Sequence, residues 1–407
     1  MSALAVAFTA VGCLLLLNLL TAVGVRAAGN RRARRARRLE PEIRRAVSDF
    51  SMELREDLPQ PRSRHERRLL EEALLETATE VSGMAHERLA ESFVALGFAD
   101  RAVAYLRSRF AMRRVHAAEA LGQMRVREAA GALRAGLRDR DPLVRFACAN
   151  ALTRVGAHGV LRPIIAALTS DRHGSTTGEV VETLLDYGRP AAAELIGLLA
   201  AERDPEVSLV MVVALGELRS VDAVPELVRC LRDPDPELAA RAAHALGKVG
   251  DPRSAAELAA QATGAEAWEV RAAACGACGH VAAPETPRAL ALALDDPSWH
   301  VRSAAARALV RLEDRGLAAV RVRLAALGRT GLLQLWGAFE LADRSAAAIE
   351  AAAAGDRDAD ALVRATLAAG ARARLEEVAE RDDAAGRYAR ELLEETEQAA
   401  VTAGERR

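Results

Sequence analysis

Cys275-Gly276-Ala277-Cys278 is the one CxxC of the chain, and His280 follows two residues later. Thiols at that spacing could cycle between dithiol and disulfide, or grip a soft metal. Redox cycling needs the pair at an exposed helix N-terminus beside a strand, and a zinc site needs a second ligand pair. Neither context surrounds these residues, so they read as small packing residues. Cys13, Cys148 and Cys230 are too few and too irregular to complete a disulfide framework. No Gly-rich phosphate loop or nucleophile elbow is present; the glycines recur at a fixed interval and read as helix stops.

The elements that position these side chains are constrained by composition. Of 407 residues, 51% are hydrophobic but only 3% aromatic, and 28% are charged. So few aromatics, with so much Ala and Leu, argue against a β-sandwich or barrel. The mixture of charged and apolar residues is too rich to leave the chain disordered. Lys+Arg 56 against Asp+Glu 57 gives a net charge of −1, which excludes a general polyelectrolyte attraction to nucleic acid.

Self-similarity organises the sequence. Ala120-Leu121-Gly122, Ala214-Leu215-Gly216 and Ala245-Leu246-Gly247 are near copies. Weaker copies place equivalent core positions at Leu121, Leu152, Leu184, Leu215, Leu246, Cys278 and Leu309, spaced 31 or 32 residues apart. Around each the pattern is roughly Asp-Pro-x-Val-Arg-x-x-Ala-Ala-x-Ala-Leu-Gly. It is clearest at Asp141-Pro142, at Asp235-Pro236 and, with two extra residues before the Val, at Asp296-Pro297. Asp caps the first amides of a helix, and Pro suits its first turn. Other helices fall between, over 127–137, 190–200 and 222–228. Each period is therefore a helical hairpin that must stack on its neighbours to bury its apolar stripe.

This pattern resembles the HEAT-like repeats of phycobilisome-lyase-type proteins, over about residues 100 to 330. The resemblance implies an all-α fold, a right-handed α-solenoid of helical hairpins. It also implies a ladder in which an Asp between helices pairs with an Arg early in the second helix. Arg114, Arg145, Arg271 and Arg302 stand at the Arg position, and Asp141, Asp204 and Asp235 at an Asp position. Thr177, Ser208 and Ala239 replace the Arg in three repeats, so the ladder is expected to break mid-array. Deoxyhypusine-hydroxylase-like HEAT enzymes hold two irons through His-Glu dipeptides in second helices. Here His65-Glu66 and His86-Glu87 precede the array, while His116 and His244 are each followed by Ala. No iron site, other metal or cofactor is expected.

With the motif Val as position one, positions four, seven and eleven share one helical face, expected to line a groove. The first two repeats offer His116, Glu119 and Gln123, then Ala147, Asn150 and Arg154. The third gives Glu179, Glu182 and Asp186; the fourth Val210, Val213 and Glu217; the fifth Arg241, His244 and Lys248. Ala273, Gly276 and His280 follow, then Ala304, Arg307 and Arg311. Acidic, apolar and basic patches in succession suit a protein partner, whereas Glu179, Glu182 and Asp186 would repel nucleic-acid phosphate.

Residues 4–25 carry no charge, and 22 residues of helix reach about 33 Å, enough to span a bilayer. Arg31, Arg32, Arg34, Arg35, Arg37 and Arg38 follow, which orients the N-terminus outside and sets the array in the cytoplasm, with the Arg cluster on lipid headgroups. A signal peptide would need a basic start before the apolar run. The expected organisation is a transmembrane anchor (1–30), a basic juxtamembrane linker (31–82), about seven repeats (83–330) and a divergent helical cap with an acidic tail (331–407). Two helices are expected within the linker, broken at 58–63, and residues 399–407 are expected to lack structure. The function expected is a non-enzymatic, membrane-anchored interaction scaffold on the cell membrane. An integral membrane enzyme such as a glycosyltransferase would suit as partner. The alternative is a phycobilin-lyase-like enzyme or chaperone-like ligase.

Overall fold

The computed structural model describes residues 39–169, 176–188, 190–281 and 283–404, with side chains as far as residue 399. Regular structure among these residues is entirely helical. The chain divides into two compact units, Met1–Leu168 and Thr169–Arg407.

In the first unit residues 39–51 form α1, which gives way to a turn with Glu53 in the left-handed region at φ 61°. Helix α2 (Arg64–Glu80) starts where the Ser63 side chain accepts a hydrogen bond from the Glu66 amide. Its Leu70, Ala73, Leu74 and Ala78 are buried, the spacing of one helical face. Then follow α3 (Met84–Ala95), α4 (Phe98–Tyr105), α5 (Ala111–Met124), α6 (Ala130–Gly136), α7 (Pro142–Val155) and α8 (Leu161–Thr169). Phe93 and Phe98 meet edge to face in the core, with ring centres 6.5 Å apart.

The second unit continues the hairpins with α9 (Thr177–Leu185), α10 (Pro190–Ala201), α11 (Pro205–Glu217), α12 (Val224–Leu231), α13 (Pro236–Val249), α14 (Ala255–Gly264), α15 (Trp268–Cys278), α16 (Glu285–Ala293) and α17 (Trp299–Arg311). Second helices stack on second helices, in the order α9, α11, α13, α15, α17, while α12, α14 and α16 pack behind them. Asp141, Asp204 and Asp235 cap α7, α11 and α13, each carboxylate accepting an amide hydrogen two residues on, with Pro at the first helical position.

The repeat glycines do something other than stop helices. Gly122, Gly216 and Gly247 lie inside α5, α11 and α13. A side-chain carbon on Gly216 would fall 2.8 Å from both Cα and Cβ of Ala245 in the next second helix. Gly122 stands in the same relation to Ala151, Gly247 to Ala277, and Gly279 to Ala308. The period thus records a place where two backbones touch. True stops come later, at Gly156 and Gly250, which take left-handed φ values of 69° and 72°.

The chain ends in α18 (Asp314–Arg323), α19 (Arg329–Leu341), α20 (Ser345–Ala353), α21 (Arg357–Ala369), α22 (Ala373–Ala379) and α23 (Ala384–Gly404). Trp336, Ile349, Val363, Leu367, Leu375, Val378 and Leu392 form a core of their own here. Because α23 runs to Gly404, most of the segment expected to lack structure is helical.

The expected single-pass membrane placement is corrected. Among the described residues no helix is long and apolar enough to cross a membrane. Residues 4–25, and the cluster Arg31, Arg32, Arg34, Arg35, Arg37 and Arg38, lie outside the described residues. Neither an outside N-terminus, a cytoplasmic tether nor lipid contact is carried forward.

Candidate functional groove

The Arg–Asp ladder exists, but through other carboxylates than those expected. Arg114 forms a two-pronged pair with Asp139, at 2.7 and 2.8 Å, and Arg271 the same with Asp296, at 2.7 and 3.1 Å. Each pair joins residues 25 apart. Asp141, Asp204 and Asp235 are occupied as helix caps; the linking acid sits two residues before the cap. Burial opposes ionisation of Asp139, but hydrogen bonds from Arg114 and the Asp141 amide outweigh it and hold the carboxyl below its ordinary range. Arg145 donates to the carbonyls of Asp139 and Ala167, and Arg302 to those of Asp296 and Pro297. Ser208 stands 25 residues before Asp233, whose carboxylate accepts from the Asp235 amide. Position 208 carries a hydroxyl where Arg114 and Arg271 carry a guanidinium.

The expected groove face is only partly a surface. Val210 is 2% exposed and Val213 half-buried, so the fourth repeat offers no apolar patch. Helix α11 is apolar nearly all round and is packed by α9, α10 and α13, which leaves no free side for position four. Ala147 and Ala273 at the same position are also buried. Glu179, Glu182 and Asp186 are exposed on α9, though Glu179 closes a capping box with Thr176. Glu217 forms an ion pair with Lys248, 31 residues away.

The residues of α13, α15 and α17 do converge. Two adjoining cavities, of about 560 and 640 Å³, share His244, Ala272, Ala304 and Arg307 and make one open groove across the three helices. At the C-terminal ends of the helices stand Lys248, Arg311, Arg219 and His280. Arg311 donates to His280 Nε2 at 3.0 Å, again across 31 residues. Arg307 donates to Ser303 Oγ at 2.9 Å and stays exposed. At the other end Trp268 stacks on His300 at 4.4 Å, and Trp299 meets the same ring edge-on at 5.1 Å. Trp268 and Trp299 are 40% and 55% exposed. Glu237 answers Arg241 at 3.7 Å, beside Glu269.

Desolvation and nearby cations act on both imidazoles in the same direction. Desolvation, then the charges of Arg241 and Lys248, hold His244 below its usual range; desolvation, then Arg311 and Arg219, do the same to His280. The thiols are not part of this surface chemistry. Cys275 and Cys278 are fully buried, and burial pushes Cys278 up to about 12.

Arg241, His244, Lys248, Arg307 and Arg311 are therefore brought together as read from the sequence. Arg219, Trp268 and His300 were missed. Trp268 and Trp299 stand one repeat length apart in a chain with three tryptophans, and that spacing was the available signal. Arg219 lies past the end of α11 in the left-handed region, at φ 48°, where no helical periodicity reaches.

Stacked hairpins joined through close glycine contacts and a recurrent Arg–Asp rung define a helical-repeat protein. The chain belongs to the HEAT repeat family: HEAT repeats match residues 99–185, 192–265 and 255–330, together more than half of its length. No curated protein matches the chain. Among solved structures it is similar to human deoxyhypusine hydroxylase, at 20% identity and a TM-score of 0.28, covering 67% of this chain and 97% of that one. It is also similar to the CpcE–CpcF complex of phycocyanin lyase from Nostoc, at 22% identity and a TM-score of 0.25, covering 73% and 94%. Kap121p bound to Nup53p gives 12% identity and a TM-score of 0.42, covering 81% of this chain and 45% of that one. At these values the likeness is one of fold alone.

Proposed function

We propose that this HEAT-repeat chain is a non-catalytic scaffold for protein interaction, and that its working surface is the groove over α13, α15 and α17. The observation that carries this is the join of the two cavities into one open trough. It has a floor of small residues, the exposed Trp268 at one end and exposed guanidinium groups at the other. Aromatic and Arg side chains around a shallow trough are the usual anchors of protein recognition. The helices beneath are fixed by close backbone contact and the Arg271–Asp296 rung, so the surface is pre-shaped. The buried thiols support recognition over reaction.

Benzoylphenylalanine placed at Ala304, on the groove floor, tests this in cells. The expected result is one discrete crosslinked protein that disappears in an Arg307→Glu/Arg311→Glu chain with unchanged circular dichroism. Crosslinks that survive that change, or none to any protein, overturn the proposal.

A further inference from the structure

We infer that the groove takes an acidic peptide segment carrying one apolar or aromatic anchor, its carboxylates toward Arg311 and Lys248 and its anchor against Trp268. This rests on the scaffold reading and gives the partner its chemistry.

Charge is the first support. Arg219, Lys248 and Arg311 line the C-terminal end of the groove and Arg307 its middle, while Glu217 pairs with Lys248 across repeats. The Glu237 and Glu269 carboxylates lie at the opposite end, around Trp268 and Arg241. Cations near helix C-termini suit the helix dipole on any side of a helix, yet these all face one trough. His244 and His280 line the same cavity, and an arriving carboxylate would favour their charged form.

Gly276 is the second support. The glycines at the repeat contacts are required by a neighbouring backbone, but a side-chain carbon on Gly276 would meet nothing within 4 Å. A glycine within a helix weakens it relative to alanine, and here no packing contact within the protein explains it. It lies on the groove wall facing the cavity, where the missing side chain lets a ligand backbone come close.

Size and surroundings separate a peptide from nucleic acid. Three helices at the usual 8–10 Å spacing give a trough of about 20 Å, the length of roughly six extended residues. Exposed Glu179, Glu182 and Asp186 on α9, on the same run of second helices, oppose a polyphosphate that continues past it.

Fluorescence anisotropy with the full chain tests the inference, using a labelled peptide of about six Glu and Asp residues and one Phe. Control probes replace the acids by Gln and Asn, or the Phe by Ser, and a labelled DNA duplex serves as the competing polyanion. The acidic peptide should bind with an affinity that falls as salt rises, and lose at least about tenfold in the Arg307→Glu/Arg311→Glu chain. The Ser probe should bind less tightly. Gly276→Ala should raise the melting temperature yet weaken the peptide, an opposition that a purely structural glycine would not give. Equal binding of the amide probe, tighter binding of the duplex, or unchanged affinity in a folded Arg307→Glu/Arg311→Glu chain overturns the inference. If the Ala304 crosslink forms while the acidic peptide fails, the acidic ligand is wrong and the scaffold stands; if both fail, both are wrong.

Discussion

The run of second helices α11, α13, α15 and α17 and the terminal bundle α19–α23 solve the same packing problem by opposite means. The first closes its seam with small residues: Gly216 against Ala245, Gly247 against Ala277, Gly279 against Ala308. The second closes on large ones, Trp336, Leu367, Leu375 and Leu392 among them. Their surfaces differ in the same sense. In the bundle, Arg364 meets Asp360 and Glu395, Arg372 meets Glu376 and Glu397, and Arg381 meets Glu350 and Asp383. Along the groove, Arg307 and Arg311 engage a hydroxyl and an imidazole instead. The acidic stretch expected at the C-terminus is thus one half of a neutralised lattice, while the groove keeps positive charge in reserve. Tight seams leave a smooth face on which a few long side chains can act.

Breaking the seam gives the largest expected effect. Gly216→Val drives a side chain into the Ala245 backbone, and overpacking of this kind should cost about 3 kcal/mol, seen as a lower urea midpoint. Enlarging a bundle residue is easier to absorb, since a flexible side chain can move where a backbone cannot. An unchanged midpoint for Gly216→Val would erase the contrast.

The Arg114–Asp139 rung sharpens it at intermediate scale. Arg114→Met leaves a partly buried carboxylate without its guanidinium, and should cost about 1–2 kcal/mol near neutral pH. Because the folded Asp139 is held below its unfolded value, the rung stabilises fully above about pH 4 and fades as pH falls through the lower folded value. The variant should therefore lose part of this acid-sensitive limb. Urea titrations of both proteins at neutral and acid pH would show it, and parallel acid limbs would contradict it. Smallest of all is Arg372→Ala in the bundle, whose exposed pairs lie in water. Its melting temperature should be that of the parent.

How much of this was legible follows from where each signal resides. The period and the caps were readable because Asp-Pro pairs and Ala-Leu-Gly segments are local chemistry repeated in register. The purpose of the glycine was not, since a contact with a backbone 29 or 30 residues on looks, in one dimension, like a helix stop. His244, Lys248, Arg307 and Arg311 were found because positions seven and eleven of those helices face outward, and Arg241 because position four of α13 is exposed too. Val210 misled because α11 is apolar on every side, so spacing could not say which face was free. Asp139 escaped because the linking acid stands two residues before the cap, and Asp296 because its Asp-Pro pair reads as the cap, which in the structure is Ser298. Trp268 and His300 escaped because ring stacking joins neighbouring repeats, and no single repeat shows it.

Arg219 carries a consequence for any effort to harden this protein. Other second helices end on Gly156 and Gly250 in the same backbone region, so exchanging Arg219 for glycine is the change a stability-minded engineer would choose first. It would ease the chain and strip a positive charge from the trough in one stroke. Sturdiness and grip are coupled at that single residue, and selection for either alone would erode the other.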